Sequence, residues 1–301
     1  MRVAIIGQAA FGEAVLKKLA VSGEEIVAAF FEREGDPLFV LAQQRGIPAF
    51  RTQELRKPDF LPTYAALKPD INVMAFVTVI IPESVLNLPP RGTIQYHPSL
   101  LPRYRGRSAI NWPIINGEAK TGITIFWPDR GIDTGPLLLQ REAPISPADT
   151  LGSLYRNFLF PMGVEAMAEA VGMIKAGSAQ RVPQDETQAT YEPPCEGELA
   201  NIQWFHPALQ VYNHVRGCDP QPGASTTVRG NLVRLTDAAL EPRTKAGRYG
   251  EVLEVDEAGL RVALNGGTLL VRQVRPEGGR RVPAAEFARD VDLLPGEFLG
   301  R

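Results

Sequence analysis

From Arg2 to Val79 the chain alternates short, fully apolar runs with amphipathic ones, and no other feature constrains its fold as tightly. Arg2–Gly7 predicts a strand, because the apolar run that follows Arg2 is too short for a buried helix. Phe11, Val15 and Leu19 then recur at helical spacing over Phe11–Ala20. Glu25–Phe31 predicts a second strand, Leu38–Arg45 a helix closed by Gly46, Ile47–Phe50 a third strand and Leu61–Leu67 a helix. Ile71–Val79 is apolar except for Asn72 and Thr78 and predicts a fourth strand, central and covered on both faces. Strand and helix in this alternation give an α/β fold built on a doubly wound, mostly parallel sheet.

Further along, Gly92–Tyr96 and Gly122–Trp127 read as strands, each leading into a loop. Ala148–Ala176 reads as a long amphipathic helical region kinked at Pro161-Met162-Gly163. The composition then changes. Residues 178–200 are rich in Pro, Gln and Glu and predict a linker. Pro207–Arg216 predicts one helix. After it, Thr226–Arg229, Leu232–Leu235, Tyr249–Val255, Leu260–Leu264 and Leu269–Val274 predict short strands of a small barrel or open β-unit. The implied division is a domain at 1–180, a linker at 181–203 and a β-barrel-like, OB-like domain at 204–301.

With 301 residues, 44% of them hydrophobic, and a formal net charge of −2, the chain has ample material for a core and none of the signature of disorder. The apolar start breaks at once into Gly7-Gln8, unlike a signal peptide, and no stretch approaches the roughly 20 apolar residues of a membrane span. Cys195 and Cys218 form neither a disulfide framework nor a metal-binding spacing, so a cytoplasmic protein without a metal centre is expected.

The chemistry-bearing block lies between residues 95 and 139. His97, one of only three histidines, opens Pro98-Ser99-Leu100-Leu101-Pro102, and Asp133 follows between Gly131 and Gly135. Loops that hold an isolated His and Asp among apolar residues are where rigid scaffolds place catalysis. By spacing alone, a His before Pro is equally a capped loop residue, and Asp133-Thr134-Gly135 equally a turn. A second pattern, Gly7-Gln8-Ala9-Ala10-Phe11-Gly12 with Glu32 downstream, has the outline of a dinucleotide-binding turn. Ala9 stands where the middle glycine would be and would crowd a pyrophosphate, so NAD(P) is not expected.

Tyr96–Arg103, Gly106, Ser108–Trp112, Asp133–Gly135 and Phe158–Pro161, in this order, resemble the formyltetrahydrofolate-using transferase and hydrolase superfamily. The likeness runs from Met1 to about Tyr191, with a weaker echo at Val215–Gly217 and Pro222–Ala224. Within the superfamily the motifs most resemble the hydrolase domains of 10-formyltetrahydrofolate dehydrogenases. Methionyl-tRNA formyltransferases share Ser-Leu-Leu-Pro. The resemblance implies a Rossmann-like formyltransferase fold for 1–180 and 10-formyltetrahydrofolate as the formyl donor. It also implies that His97 polarises the formyl oxygen while Asp133 accepts the nucleophile's proton, with no metal required. Gln95 stands where many members have Asn; it keeps the amide but adds a methylene. Hydrolase domains of the dehydrogenases also lack that Asn. The reduced folate is expected between Phe76–Pro82 and Trp127–Asp133, touching Phe76, Val79, Ile80, Ile81, Leu100, Trp127, Asp129 and Gly131. Arg103, Arg105 and Arg107 form a basic cluster that suits either an anionic group or plain solvation.

The acceptor is the open question. tRNA-formylating relatives carry a long basic loop after the second strand; here Phe31–Pro37 is short and acidic. Trp204–Arg301 holds 13 Lys+Arg against 12 Asp+Glu, a weak platform for nucleic acid. Removal of the formyl group to water is therefore expected ahead of methionyl-tRNA formylation, with amino-sugar nucleotides a lesser alternative. An aldehyde-dehydrogenase unit, which a full dehydrogenase needs, would be a separate partner.

Overall fold

The computed structural model describes residues 1–242 and 245–301. The chain runs β1 (Arg2–Gly7), α1 (Ala9–Val21), β2 (Glu25–Phe31), α2 (Pro37–Gln44), β3 (Ala49–Arg51), α3 (Leu61–Ala66), β4 (Ile71–Ala75), α4 (Glu83–Leu86), β5 (Thr93–His97), α5 (Asn111–Ile115), β6 (Lys120–Phe126) and β7 (Leu137–Pro144). Next come α6 (Leu151–Leu154), α7 (Phe160–Ala176) and α8 (Ala208–Gly217). The last elements are β8 (Ala224–Val228), β9 (Asn231–Glu241), β10 (Val252–Asp256), β11 (Gly259–Leu264), β12 (Gly267–Pro276), β13 (Val282–Pro283) and α9 (Ala284–Asp290). Among the described residues no helix is long and apolar enough to cross a membrane.

The chain divides into two compact units: 1–109, 122–143 and 157–192 form the first, and 110–121, 144–156 and 193–301 the second. The boundary is thus interleaved: two segments before residue 181 join the second unit, and the first continues through Glu192.

The first unit is a seven-stranded sheet in the order β3-β2-β1-β4-β5-β6-β7. Pairings from β3 to β5 are parallel, and β5 pairs β6 antiparallel. Val3, Ala4, Ile5 and Ile6 are all inaccessible to solvent, as a strand covered on both faces requires. One face packs Ala4, Ile6, Phe30 and Met74 against Tyr64, Val85 and Leu86. At its centre, Asn72 is fully buried; its amide donates to Val85 O (3.0 Å) and Thr93 Oγ1 (3.0 Å) and accepts from Tyr64 Oη. Burial holds the Tyr64 hydroxyl well above the usual phenol range, despite that bond. Asn72→Val keeps a strand-compatible shape but strands those partners. It should cost about 2 kcal/mol, readable by urea denaturation; a loss below ~0.5 kcal/mol would mean the network adds nothing.

Several elements differ from expectation, among them the short α4, α5 and β13. β4 stops at Ala75 because Phe76 adopts a left-handed backbone (φ 63°) and because β5 offers parallel partners only up to Met74↔Gln95. The break before α7 is a single π-helical turn at Tyr155–Leu159, one turn upstream of Pro161. Pro161 has no N–H to return to the preceding turn, so the ladder is disturbed there rather than at the proline itself. β7 carries no strand signal because Gln140, Arg141 and Glu142 within it are polar and exposed, as an edge strand tolerates. α9 is only seven residues long, and short apolar runs do not announce themselves by periodicity.

The second unit centres on an antiparallel sheet in the order β10-β11-β12-β9-β8, with β13 paired to β12. Val233, Leu235, Val252, Val262, Leu269 and Val271 pack with Val215 of α8 and Phe287 of α9. Phe298 bridges to Glu251 beside β10 and Leu299 to Val228 of β8, so the final residues reach both ends of the strand order.

Candidate active site

In a doubly wound sheet, ligands bind beyond the carboxyl ends of the strands near the point where strand order reverses. Here that point lies between β1 and β4, and β5 is the next strand along. A cavity of about 350 Å³ opens there, lined by Phe76–Ile81, by Gln95 and His97, and by Asp129–Asp133. Residues 95 and 97 share one face of β5 by strand alternation. Tyr96 points to the other face, stacks on Phe11 at 4.3 Å and donates to Leu159 O at 3.2 Å.

His97 is the last residue of β5 rather than a loop residue, and it is 4% exposed. Its Nε2 lies 2.9 Å from the carbonyl oxygen of Tyr104. A carbonyl only accepts, so Nε2 carries the hydrogen and Nδ1 is left toward Asp133. The facing distance, Nδ1 to Asp133 Oδ2, is 3.5 Å. That is too long for a strong bond and leaves room for another atom to share both groups. Phe126 meets the imidazole edge-on at 6.4 Å.

The loop after His97 is fixed by its own bonds. Ser99 Oγ donates to Arg103 O (2.7 Å), Thr124 Oγ1 to Ser99 O (2.7 Å) and Gln140 Nε2 to Leu101 O (2.8 Å). Tyr104 takes a left-handed conformation (φ 60°), and its carbonyl reaches the imidazole. The Asp133 loop is equally constrained. Asp129 Oδ1 accepts from Gly131 N (3.0 Å) and Thr134 Oγ1 (2.5 Å). A Cβ on Gly135 would stand 1.8 Å from Trp127 O, so only glycine fits there. Asp133 itself has φ 57°, an uncommon state for a residue with a side chain, and its Oδ2 accepts from Gly106 N at 2.8 Å.

The residues expected from sequence do not all converge. Phe76, Val79, Ile80, Ile81, Gln95, His97, Asp129, Gly131 and Asp133 line the cavity. Ile81 is buried in its wall, whereas Ile80 is 74% exposed at its rim. The Gln95 amide makes no hydrogen bond to any described residue and is free to meet a ligand. Leu100 and Trp127 are absent from the lining. Leu100 packs over Gly122 of β6, where a Cβ would come within 2.6 Å of its Cδ2. Trp127 turns away, donating to Gln180 O (3.0 Å) beneath the Arg181 guanidinium at 3.9 Å.

The arginine cluster separates too. Arg107 lines the cavity and Arg103 lies over Tyr104, but Arg105 is 1% exposed. It bonds Glu186 through both carboxylate oxygens (2.7 and 2.9 Å), Gln184 Oε1 (2.8 Å) and Tyr191 Oη (2.8 Å). Tyr104, Gly106, Gln184 and Gln140 were not anticipated. All four act through backbone or from distant sequence, and only Gly106, within the motif, carried any signal.

The start of α1 differs from a dinucleotide site in one respect. Ala9 N donates to both oxygens of Asp36 (2.9 and 3.1 Å), and the same carboxylate caps α2 through Leu38 N (2.9 Å). A helix N-terminus that already holds a carboxylate would set that charge against a pyrophosphate. Among the described residues no cluster of three or more His, Cys, Asp or Glu is placed to hold a metal.

Comparison with known proteins adds the lineage. Residues 1–171 match the family described as Formyl transferase, and residues 196–291 match Formyl transferase, C-terminal domain. Cytosolic 10-formyltetrahydrofolate dehydrogenase of Mus musculus is 41% identical over 306 residues, covering 95% of this chain and 34% of its own length. The chain thus spans about a third of such dehydrogenases. Methionyl-tRNA formyltransferase of Geobacter sulfurreducens is 35% identical over 310 residues, covering 100% of this chain and 97% of its own. Among solved structures, HypX from Aquifex aeolicus in complex with tetrahydrofolic acid superposes with a TM-score of 0.70 at 24% identity, over 96% of this chain and 47% of that one. At that identity the likeness shows the fold.

Proposed function

The chain belongs to the formyl transferase family, and from that premise we propose that it removes the formyl group of 10-formyltetrahydrofolate, passing it to water and releasing tetrahydrofolate. The observation that carries this reading is the open 3.5 Å pairing of His97 Nδ1 with Asp133 Oδ2 in the wall of an apolar, ring-sized cavity. The pteridine lies against Phe76–Ile81, where backbone groups at the end of β4 meet its polar edge. In this reading the reacting imidazole is doubly protonated: Nε2–H stays on Tyr104 O, and Nδ1–H is donated to the formyl oxygen as water attacks the formyl carbon and negative charge develops. Asp133 takes the proton that the water loses. Asp133 then passes that proton to N10 as the C–N10 bond breaks with its electron pair on nitrogen, one hydroxyl of the intermediate returns its proton to His97, and tetrahydrofolate leaves with formic acid, which ionises to formate in water. Gln95, two residues before His97 on the same face, can add a donor to the oxyanion.

Water is favoured as acceptor by the likeness to the dehydrogenases, by the acidic Phe31–Pro37 segment and by the near balance of charge in Trp204–Arg301. A second reading, methionyl-tRNA formylation, is favoured by the relative that matches over almost its whole length. The two separate in one assay: tetrahydrofolate release from 10-formyltetrahydrofolate, with and without charged initiator tRNA, at fixed salt. Release without tRNA is the expected result. Release only with tRNA would replace the hydrolytic reading by the second.

A further inference from the structure

The segment expected to be a linker crosses both loops of the candidate active site. Val182 and Leu137 exchange backbone bonds (2.7 and 2.9 Å) just beyond the Asp133 loop. Arg105 N donates to Thr190 O (3.0 Å) and Tyr104 N to Thr190 Oγ1 (2.8 Å), tying the same segment to the loop after His97. Between these ties sits Gln184. Its Nε2 donates to the carbonyls of Asp133 (2.9 Å) and Gly135 (2.7 Å), and its Oε1 accepts from Arg105 (2.8 Å).

We propose that residues 182–192 are a strap that sets the separation of His97 and Asp133, with Gln184 as the positioning residue. The proposal rests on the reading of Asp133 as proton acceptor. Asp133 is held at φ 57°, and its carbonyl and that of Gly135 converge on one amide. A backbone in a sparsely populated conformation stays there only when its surroundings over-determine it. The Gln184 donors supply that restraint from one side and the Gly106 N–H, through the carboxylate, from the other. Arg105 couples them. It precedes Gly106, and its guanidinium fixes the Gln184 oxygen, which leaves the amide nitrogen facing the carbonyls. No side chain of the strap is required to touch the folate.

The test compares Gln184→Ala with the parent chain in single-turnover release of tetrahydrofolate, below the unfolding temperature of both. The turnover rate should fall at least ~10-fold, because small misplacements of a reacting group carry large kinetic costs. The KM for 10-formyltetrahydrofolate should stay within about twofold, since the Phe76–Ile81 wall is untouched. On an Asp133→Asn background, where no carboxylate remains to be placed, the Gln184 substitution should cost under about twofold more. An unchanged rate in Gln184→Ala while Asp133→Asn is inactive would overturn the strap and leave the proposed reaction standing. Equal costs on both backgrounds would overturn it as well, by giving Gln184 a role independent of Asp133. Full turnover in Asp133→Asn would instead remove the proton-acceptor assignment, and the proposal with it.

Discussion

His97→Ala should lower the release of tetrahydrofolate by at least ~10²-fold, the usual share of a positioned acid or base, while the chain stays folded. In the proposed reaction the imidazole supplies the proton that reaches the formyl oxygen. Its Nε2–H is spent on Tyr104 O at 2.9 Å, which fixes the ring so that Nδ1 meets Asp133. Alanine removes the donor and leaves the Tyr104 carbonyl without that partner, at a cost of about 1–2 kcal/mol, too little to unfold a typical domain. Asp133→Asn should lose activity to a similar extent by a different route. The amide oxygen still accepts from Gly106 N, so the loop is kept, but no base remains for the attacking water. Because the two residues act on one transition state, the double variant should be little worse than either single one. Single-turnover kinetics on folded protein, confirmed by circular dichroism, would measure this. Retention of more than about a tenth of the parent rate in either variant is incompatible with the assigned roles.

Arg105→Ala should destabilise the first unit by about 3 kcal/mol. The side chain has no solvent contact, and its stem fills volume that alanine would leave empty. Its loss also frees the acceptor of Gln184 and the hydroxyl of Tyr191. The ion pair contributes the smaller part, because Glu186 is 66% exposed and screened by solvent. Arg105 nonetheless holds the Glu186 carboxyl below the usual carboxylate range, chiefly through the hydrogen bond between them. The sign follows: with the folded value depressed, this contribution is present above pH 4.5, the unperturbed value, and is lost as pH falls below it. Arg105→Lys keeps a charge but cannot form the fork, and should recover only part of the loss. Urea midpoints at neutral pH and near pH 4 would resolve both terms; a shift worth less than ~1 kcal/mol for the alanine variant would show that the site collapses around the gap.

Much of this was open to reading in advance. The alternation of β1, α1, β2 and α2 follows from period and length alone, because each strand is buried on both faces and each helix on one. His97 and Asp133 stood out because they are isolated among apolar and turn residues. Leu100 and Trp127, expected at the folate, lie outside the cavity lining. Proximity in sequence to His97 and Asp133 says nothing about which way a side chain turns, and both turn away from the cavity. Arg105 illustrates the reverse error, since three arginines at alternate positions look alike until one is found buried against a segment 80 residues away.

The sequence by itself determined the alternation of the first strands and helices, the apolar wall at the end of β4 and the identity of the two groups that meet there. Those depend on local period, side-chain volume and chemical type, all carried by neighbouring residues. Only the tertiary structure decided that Nε2 faces Tyr104, that Nδ1 stops 3.5 Å short of Asp133, and that Gln184 holds the Asp133 loop in place. The physical reason is that these arrangements satisfy buried polar groups over long stretches of chain. Any backbone carbonyl can accept a hydrogen bond, so which one a donor finds is settled by packing.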